Sequence, residues 1–188
     1  MTLPDDPAAR HALVASEFSR LARGTLDWNA PAPVDGWSAR DVVDHLVTWL
    51  PGFLAAAGVD LTPEPTTGTD PLAAWQHHAD AVQALLSDRG DDEFTHPFVG
   101  TLPLARAGVR FYVCDVFMHS WDIARASDQE ARLDEEFAGE LLVGMTQMED
   151  VLRSSGQFGA PVAVAADAPV VDRLMGFIGR DPDWAPPT

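Results

Sequence analysis

The stretch Val113-Cys114-Asp115-Val116-Phe117-Met118-His119-Ser120-Trp121-Asp122 decides how this chain is read. It belongs to the most apolar helical run of the sequence, and Asp115 and His119 stand four residues apart within it. On a helix, i and i+4 side chains share a face with Cβ atoms about 6 Å apart, so one bound ion could touch both. Between Phe111 and Trp121 no other residue carries charge. A carboxylate buried in such a run requires an ion pair, hydrogen bonds or a metal.

Outward from this stretch, the helical pattern runs from Pro103, in a first turn, through Ala126. A helix apolar nearly all round belongs at the centre of a fold. Its stripe Leu104, Gly108, Phe111, Asp115, His119 and Asp122 follows i, i+4, i+7 spacing. Upstream, a first helix is expected over about residues 6–24, with Pro7 near its first turn and Leu13, Phe18 and Leu21 as apolar contacts. After a loop over 29–36, Ser38 is a good N-cap with Asp41 completing a short capping box. The second helix then carries Val42, His45, Leu46, Trp49 and Phe53 on one face, with Pro51 expected to kink or shorten its end.

A Pro/Thr/Gly loop runs to Gly68, and Asp70-Pro71 opens a third helix to about Arg89. Residues 91–101 read as irregular, with room for a short extended segment. Asp134 caps a fifth helix whose stripe is Phe137, Leu141, Leu142, Met145, Met148 and Leu152. Val162 and Val164 alternate, and 169–178 forms a short last helix ended by Gly179. Long helices with modest loops, no repeats and no composition break predict one all-α bundle domain over 1–188.

Composition narrows the function classes. A chain of 188 residues, 46% apolar, is large enough for a real core. Its net charge is −17 and all twelve basic residues are Arg, a balance that repels phosphate backbones and anionic bilayers. Solubility accounts for the acidity. No run approaches the roughly 18 apolar residues of a membrane span, and the start has no basic n-region, so a cytoplasmic protein is expected. The single Cys114 forms no internal disulfide, which agrees with a reducing compartment.

His45 sits on the apolar face of the second helix, so it and the pair on the fourth point toward one interior. Two imidazoles and a carboxylate form a common set for a divalent ion acting as Lewis acid or activator of a bound nucleophile. Asp122, one turn beyond His119, can steady a ligand from behind. A core Asp115–His119 hydrogen bond without metal fits the same spacing. Elsewhere, His77 and His78 point about 100° apart and read as surface or boundary residues, as do His11 and His96. Cys114 projects to a different face from Asp115 and reads as an inert thiol. Trp37, Trp49, Trp121 and Trp184 read as packing and capping residues, with Trp49 and Trp121 also candidates for a pocket lining. Arg125 is a candidate partner of Asp122, or of an anionic substrate group, as well as an ordinary surface Arg. No phosphate loop or Ser-centred nucleophile motif is visible.

Three motifs carry a family resemblance. Residues 36–47, Gly-Trp-Ser-Ala-Arg-Asp-Val-Val-Asp-His-Leu-Val, resemble the Trp-Ser-x-x-Asp-x-x-x-His-Leu helix of the DinB-like superfamily. Residues 115–126 resemble the second motif of its actinobacterial branch, that of the mycothiol-dependent maleylpyruvate isomerase N-terminal domain. The ending Phe177-Ile178-Gly179-Arg180-Asp181-Pro182-x-Trp184 is similar to that of a subfamily of small metal-binding proteins there.

The resemblance implies an up-down-down-up four-helix bundle, often dimeric, with metal ligands His45, Asp115 and His119. It implies zinc, or nickel or another divalent ion, and activation of a low-molecular-weight thiol such as mycothiol or bacillithiol for transfer or isomerisation. Such coordination lowers a thiol's pKa and holds a thiolate nucleophile. The isomerase has Glu where this chain has Asp115, and it carries a further C-terminal domain that contributes to its active site. Maleylpyruvate isomerisation itself is therefore not expected. Three classes remain: a metal-dependent enzyme acting on a small thiol or water, a non-catalytic metal- or small-molecule-binding sensor or storage protein, and a bundle whose polar core serves fold specificity alone.

Overall fold

A computed structural model describes residues 2–61 and 67–186. The loop expected before Gly68 falls largely on residues 62–66, outside those described. The helices are α1 (Pro7–Gly24), α2 (Ala39–Ala55), α3 (Pro71–Arg89), α4 (Leu104–Ala107), α5 (Cys114–Ala126), α6 (Glu135–Thr146), α7 (Glu149–Ser155) and α8 (Val170–Phe177). A π-helical segment, Gly108–Val113, joins α4 to α5. Strands β1 (Glu93–His96) and β2 (Gly100–Pro103) pair antiparallel between α3 and α4, Phe94 opposite Leu102. This is the mainly helical DinB-like fold class the motifs imply, with the short extended segment in place. Among the described residues no helix is long and apolar enough to cross a membrane.

Helix starts follow the sequence signals. Asp6 accepts from Ala9 N (2.8 Å), Asp70 from Ala73 N (3.0 Å) and Asp134 from Phe137 N (2.7 Å), each satisfying an otherwise orphaned N–H. Ser38 and Asp41 form the expected capping box: Ser38 N donates to Asp41 Oδ2 at 2.7 Å. Pro51 does not stop α2, which continues to Ala55 with Leu54 buried beneath it.

α1 and α2 each pack against both α3 and α5, so α5 is held between them. Phe18 and Trp75 meet at 4.2 Å in the centre, and the buried indole N–H of Trp75 donates to Ser19 Oγ at 2.8 Å. Burial of each such side chain contributes about 1.5–3 kcal/mol. Phe117 and Ile123 of α5 have no exposed surface.

Three expectations need correction. The predicted single helix from Pro103 is interrupted by the π segment, which adds about one residue to the turn and shifts the phase by roughly 100°. Tyr112 and Val113 are thereby buried, whereas Phe111, assigned to the inward stripe, is only half-buried. Asp115, His119 and Asp122 keep their common register because all three follow the π segment. The predicted fifth helix breaks between Thr146 and Glu149, and Met148 is 42% exposed. Its apolar spacing continues, but Val143, Met148 and Val151 remain exposed while α6 packs against α8.

The third correction concerns histidines. His11, His78 and His96 are buried, not at the surface; His77 is exposed. Each buried one continues an inward stripe. His11 precedes Val14, Ala15 and Phe18 at helical spacing, His78 follows Ala74 and Trp75, and His96 alternates with Phe94 in β1.

The C-terminal part returns to the bundle through a tight helix end. Gly179 has φ +89°, its N–H donates to Gly176 O (3.1 Å), and Arg180 N–H donates to Met175 O (2.8 Å). This is a Schellman cap, which reverses the chain after α8 and turns Arg180 inward. A Cβ on Gly179 would come within 2.7 Å of Gly159 Cα, so both the left-handed φ and the close approach require glycine.

Candidate metal centre

α2 contributes His45 and α5 contributes Asp115 and His119, and the packing of α2 on α5 brings them together. One donor atom from each lies within 4.8 Å of the others. His45 Nε2 is 3.1 Å from Asp115 Oδ2, and His119 Nε2 is 3.5 Å from Asp115 Oδ1. Donors held at about 2.0–2.2 Å around a tetrahedral ion lie roughly 3.3–3.6 Å from one another. Each imidazole nitrogen therefore lies near this range from one carboxylate oxygen, while the three donors taken together fall within 4.8 Å. In this arrangement the shorter reach of Asp compared with Glu does not keep Asp115 from the histidines.

The site is closed inside and open outside. His119 has 6% side-chain exposure, against 19% for Asp115 and 33% for His45. Trp37, from the loop before α2, stacks on His119 with ring centroids 5.7 Å apart and lies tilted against His45 at 5.2 Å. Trp49, one turn after His45, donates its indole N–H to Asp115 Oδ2 at 2.9 Å. Burial pushes the Asp115 carboxyl up, but His119, His45 and the Trp49 N–H outweigh it and hold the group below the ordinary carboxylate range. A carboxylate with its pKa held low thus stands at the centre of the cluster.

Behind His119 lies a second carboxylate. Asp122 Oδ2 accepts from His119 Nδ1 at 2.8 Å, one turn along α5. Arg180 donates to both Asp122 oxygens, Nη2 to Oδ2 at 3.0 Å and Nε to Oδ1 at 3.3 Å. Asp122 is fully buried; burial pushes its pKa up, and the bonds from His119 and Arg180 bring it below the usual value. Because a carboxylate held this way only accepts, His119 donates to it from Nδ1, and Nε2 is the ring nitrogen turned toward Asp115.

The other candidates fall elsewhere. Trp121 is two residues past His119, about 200° round the helix, and lines a separate cleft of about 640 Å³ with Arg125, Gln129 and Leu133. Arg125 does not bond Asp122: its guanidinium lies 5.0 Å over the Trp121 ring and donates to Pro182 O at 2.8 Å. Cys114 Sγ–H donates to Val109 O at 3.0 Å, and burial pushes its thiol up to about 12, so it is an inert thiol as expected. Sequence reading missed Trp37 as a neighbour of both histidines and Arg180 as the partner of Asp122. The first had a signal in its place just before the Ser38 cap; the second depends on a contact across 58 residues.

Two proteins of Mycobacterium tuberculosis resemble the chain along most of its length: uncharacterized protein Rv0738 of strain H37Rv and uncharacterized protein MT0763 of strain CDC 1551. Each is 27% identical over 183 residues, covering 93% of this chain and 98% of theirs. No solved structure gives a significant match. Residues 11–124, which include the whole His45–Asp115–His119 cluster, match the mycothiol maleylpyruvate isomerase N-terminal domain, and the chain belongs to that family.

Proposed function

We propose that this protein binds a divalent metal ion through His45, Asp115 and His119 and uses it to activate a low-molecular-weight thiol of the mycothiol type, or water. The observation that carries this reading is the convergence of the three donors within 4.8 Å, buried on the His119 side and open on the His45 side. A polar triad serving only fold specificity has no need of that opening. Membership of a family whose description names mycothiol supports a thiol as the small molecule. Zinc suits two imidazoles and a carboxylate, and three protein ligands leave a position free.

When bound, a divalent ion supplies a Lewis acid that lowers the pKa of a coordinated thiol or water. The chain's own groups hold and shape the site. Asp115 offers its charge at the centre, with Trp49 fixing one carboxylate oxygen. Asp122 keeps the His119 proton on Nδ1. Trp37 lies against both imidazoles and restricts water on that side. Because Cys114 is inert, the nucleophile in any thiol reaction comes with the substrate.

The test is elemental analysis of protein purified without chelators, beside the His45→Ala/His119→Ala variant. About one equivalent of metal in the parent and none in the variant is expected. No stoichiometric metal in the parent defeats the proposal. Cobalt-loaded protein titrated with mycothiol and simple thiols then addresses the chemistry. A shifted visible spectrum and thiol consumption with an electrophile support transfer, whereas neither change defeats thiol transfer and leaves water activation or metal binding without catalysis.

A further inference from the structure

We infer that Arg180, from the segment after α8, is a positioning residue for the metal centre and acts through Asp122 on His119. The inference rests on the metal-binding reading above. Asp122 has no exposed surface and Arg180 is 9% exposed, so this ion pair is withdrawn from water. Buried charges are tolerated only when paired with good geometry, and here the guanidinium fork meets both carboxylate oxygens. The same Oδ2 that accepts from Arg180 accepts from His119 Nδ1, so the three groups form one chain of contacts from the C-terminal segment to the metal cluster.

Two features fix Arg180 in place. The Schellman turn at Gly179 aims the residue back into the bundle, and Nη1 donates to Ile178 O at 3.1 Å, which steadies the fork. The carboxylate is thereby held in one orientation. A carboxylate gripped by a guanidinium accepts hydrogen bonds and does not donate, so His119 must donate from Nδ1 and present Nε2 to the site. Without the grip, Asp122 is free to rotate, and both the ring angle and the tautomer of His119 lose their constraint. Residue 180 lies beyond the residues that match the family, so this chain supports a family site from outside the matched region.

The experiment compares the parent with Arg180→Gln, Arg180→Lys, Asp122→Asn and the double variant Asp122→Asn/Arg180→Gln. Three readouts are taken: zinc and cobalt affinity by chelator competition, the visible spectrum of the cobalt form, and the His119 tautomer in metal-free protein by nitrogen-15 NMR at pH 8. Arg180→Gln is expected to weaken metal binding by about 10–100-fold, alter the cobalt spectrum and lose the single Nδ1–H tautomer. Arg180→Lys should recover part of each effect, and Arg180→Gln should add little once Asp122 is Asn. Parent-like affinity, spectrum and tautomer in Arg180→Gln overturn the inference. If that variant does not fold, parent-like values in both Arg180→Lys and Asp122→Asn do so. A parent that takes up no metal defeats the metal reading instead, and the tautomer then still decides whether Arg180 governs His119.

Discussion

The indole N–H of Trp49 and the imidazole Nε2 of His45 approach the same oxygen of Asp115, at 2.9 and 3.1 Å. Both come from α2, four residues apart, so one helix face holds one carboxylate oxygen from two sides. The other oxygen is left toward His119. Replacing Trp49 by Phe keeps an aromatic ring against Tyr112 and Phe53 but removes the N–H. Metal affinity is expected to fall about tenfold, the low end for a partner of a ligand, with the fold retained. Chelator competition and far-UV circular dichroism check this.

Asp115→Asn preserves volume and removes the charge at the centre of the cluster. Stoichiometric metal should be lost while the helices persist, as measured by elemental analysis after dialysis against a weak chelator. Retention of one equivalent would mean that the two histidines suffice.

Acid should destabilise the protein through His11. Burial lowers its pKa below 6.5, more than the Gln83 bond raises it, and nearby His78 lowers it further. The unfolded chain therefore binds a proton at a pH where the folded one does not. Stability is full above about 6.5 and falls as pH drops from there toward the depressed folded value. Urea unfolding at pH 7.5 and 5.5 should show the loss, and His11→Asn, which removes the titrating group, should flatten it.

Glycines 179 and 144 should respond oppositely to Ala. At Gly179 the left-handed backbone alone costs about 1–3 kcal/mol, and the contact with Gly159 adds to it. At Gly144, inside α6 with open space around it, Ala should stabilise by about 0.5–1 kcal/mol. Denaturant midpoints of the two variants measure the contrast.

Cys114 should react slowly with a thiol-specific reagent in the native state and rapidly in urea. Cys114→Ala should leave metal content, and any thiol-transfer rate, unchanged. A large drop in either would give the residue a role that its burial and its bond to Val109 O argue against.

The elements were legible where local chemistry sets them. Asp6, Ser38, Asp70 and Asp134 cap helices because a side-chain oxygen three residues before an N–H is a local fact. Asp115 and His119 were legible as a pair because i, i+4 spacing is local, and His45 because it lies on the apolar face by which α2 packs on α5. The π segment was not, since Phe111, Tyr112, Val113 and Cys114 are all apolar and a shift of phase among them leaves no mark. Arg180 was hidden for a different reason: its partner is chosen by the path of the chain after α8. His11, His78 and His96 were misread from residue type, although their neighbours at helical or strand spacing marked each as inward.

The π segment has a further consequence. It is a register shift placed between the hairpin end of the central helix and the end that carries Asp115 and His119. Removing one residue within Gly108–Val113 would let plain α-helix run through and put α4 about 100° out of its present phase with α5, so the packing of α4 on α3 and of α5 on α2 could not both be kept. The same mismatch lets the two ends of the helix answer to different neighbours, so hairpin length and sequence can drift without steering the carboxylate.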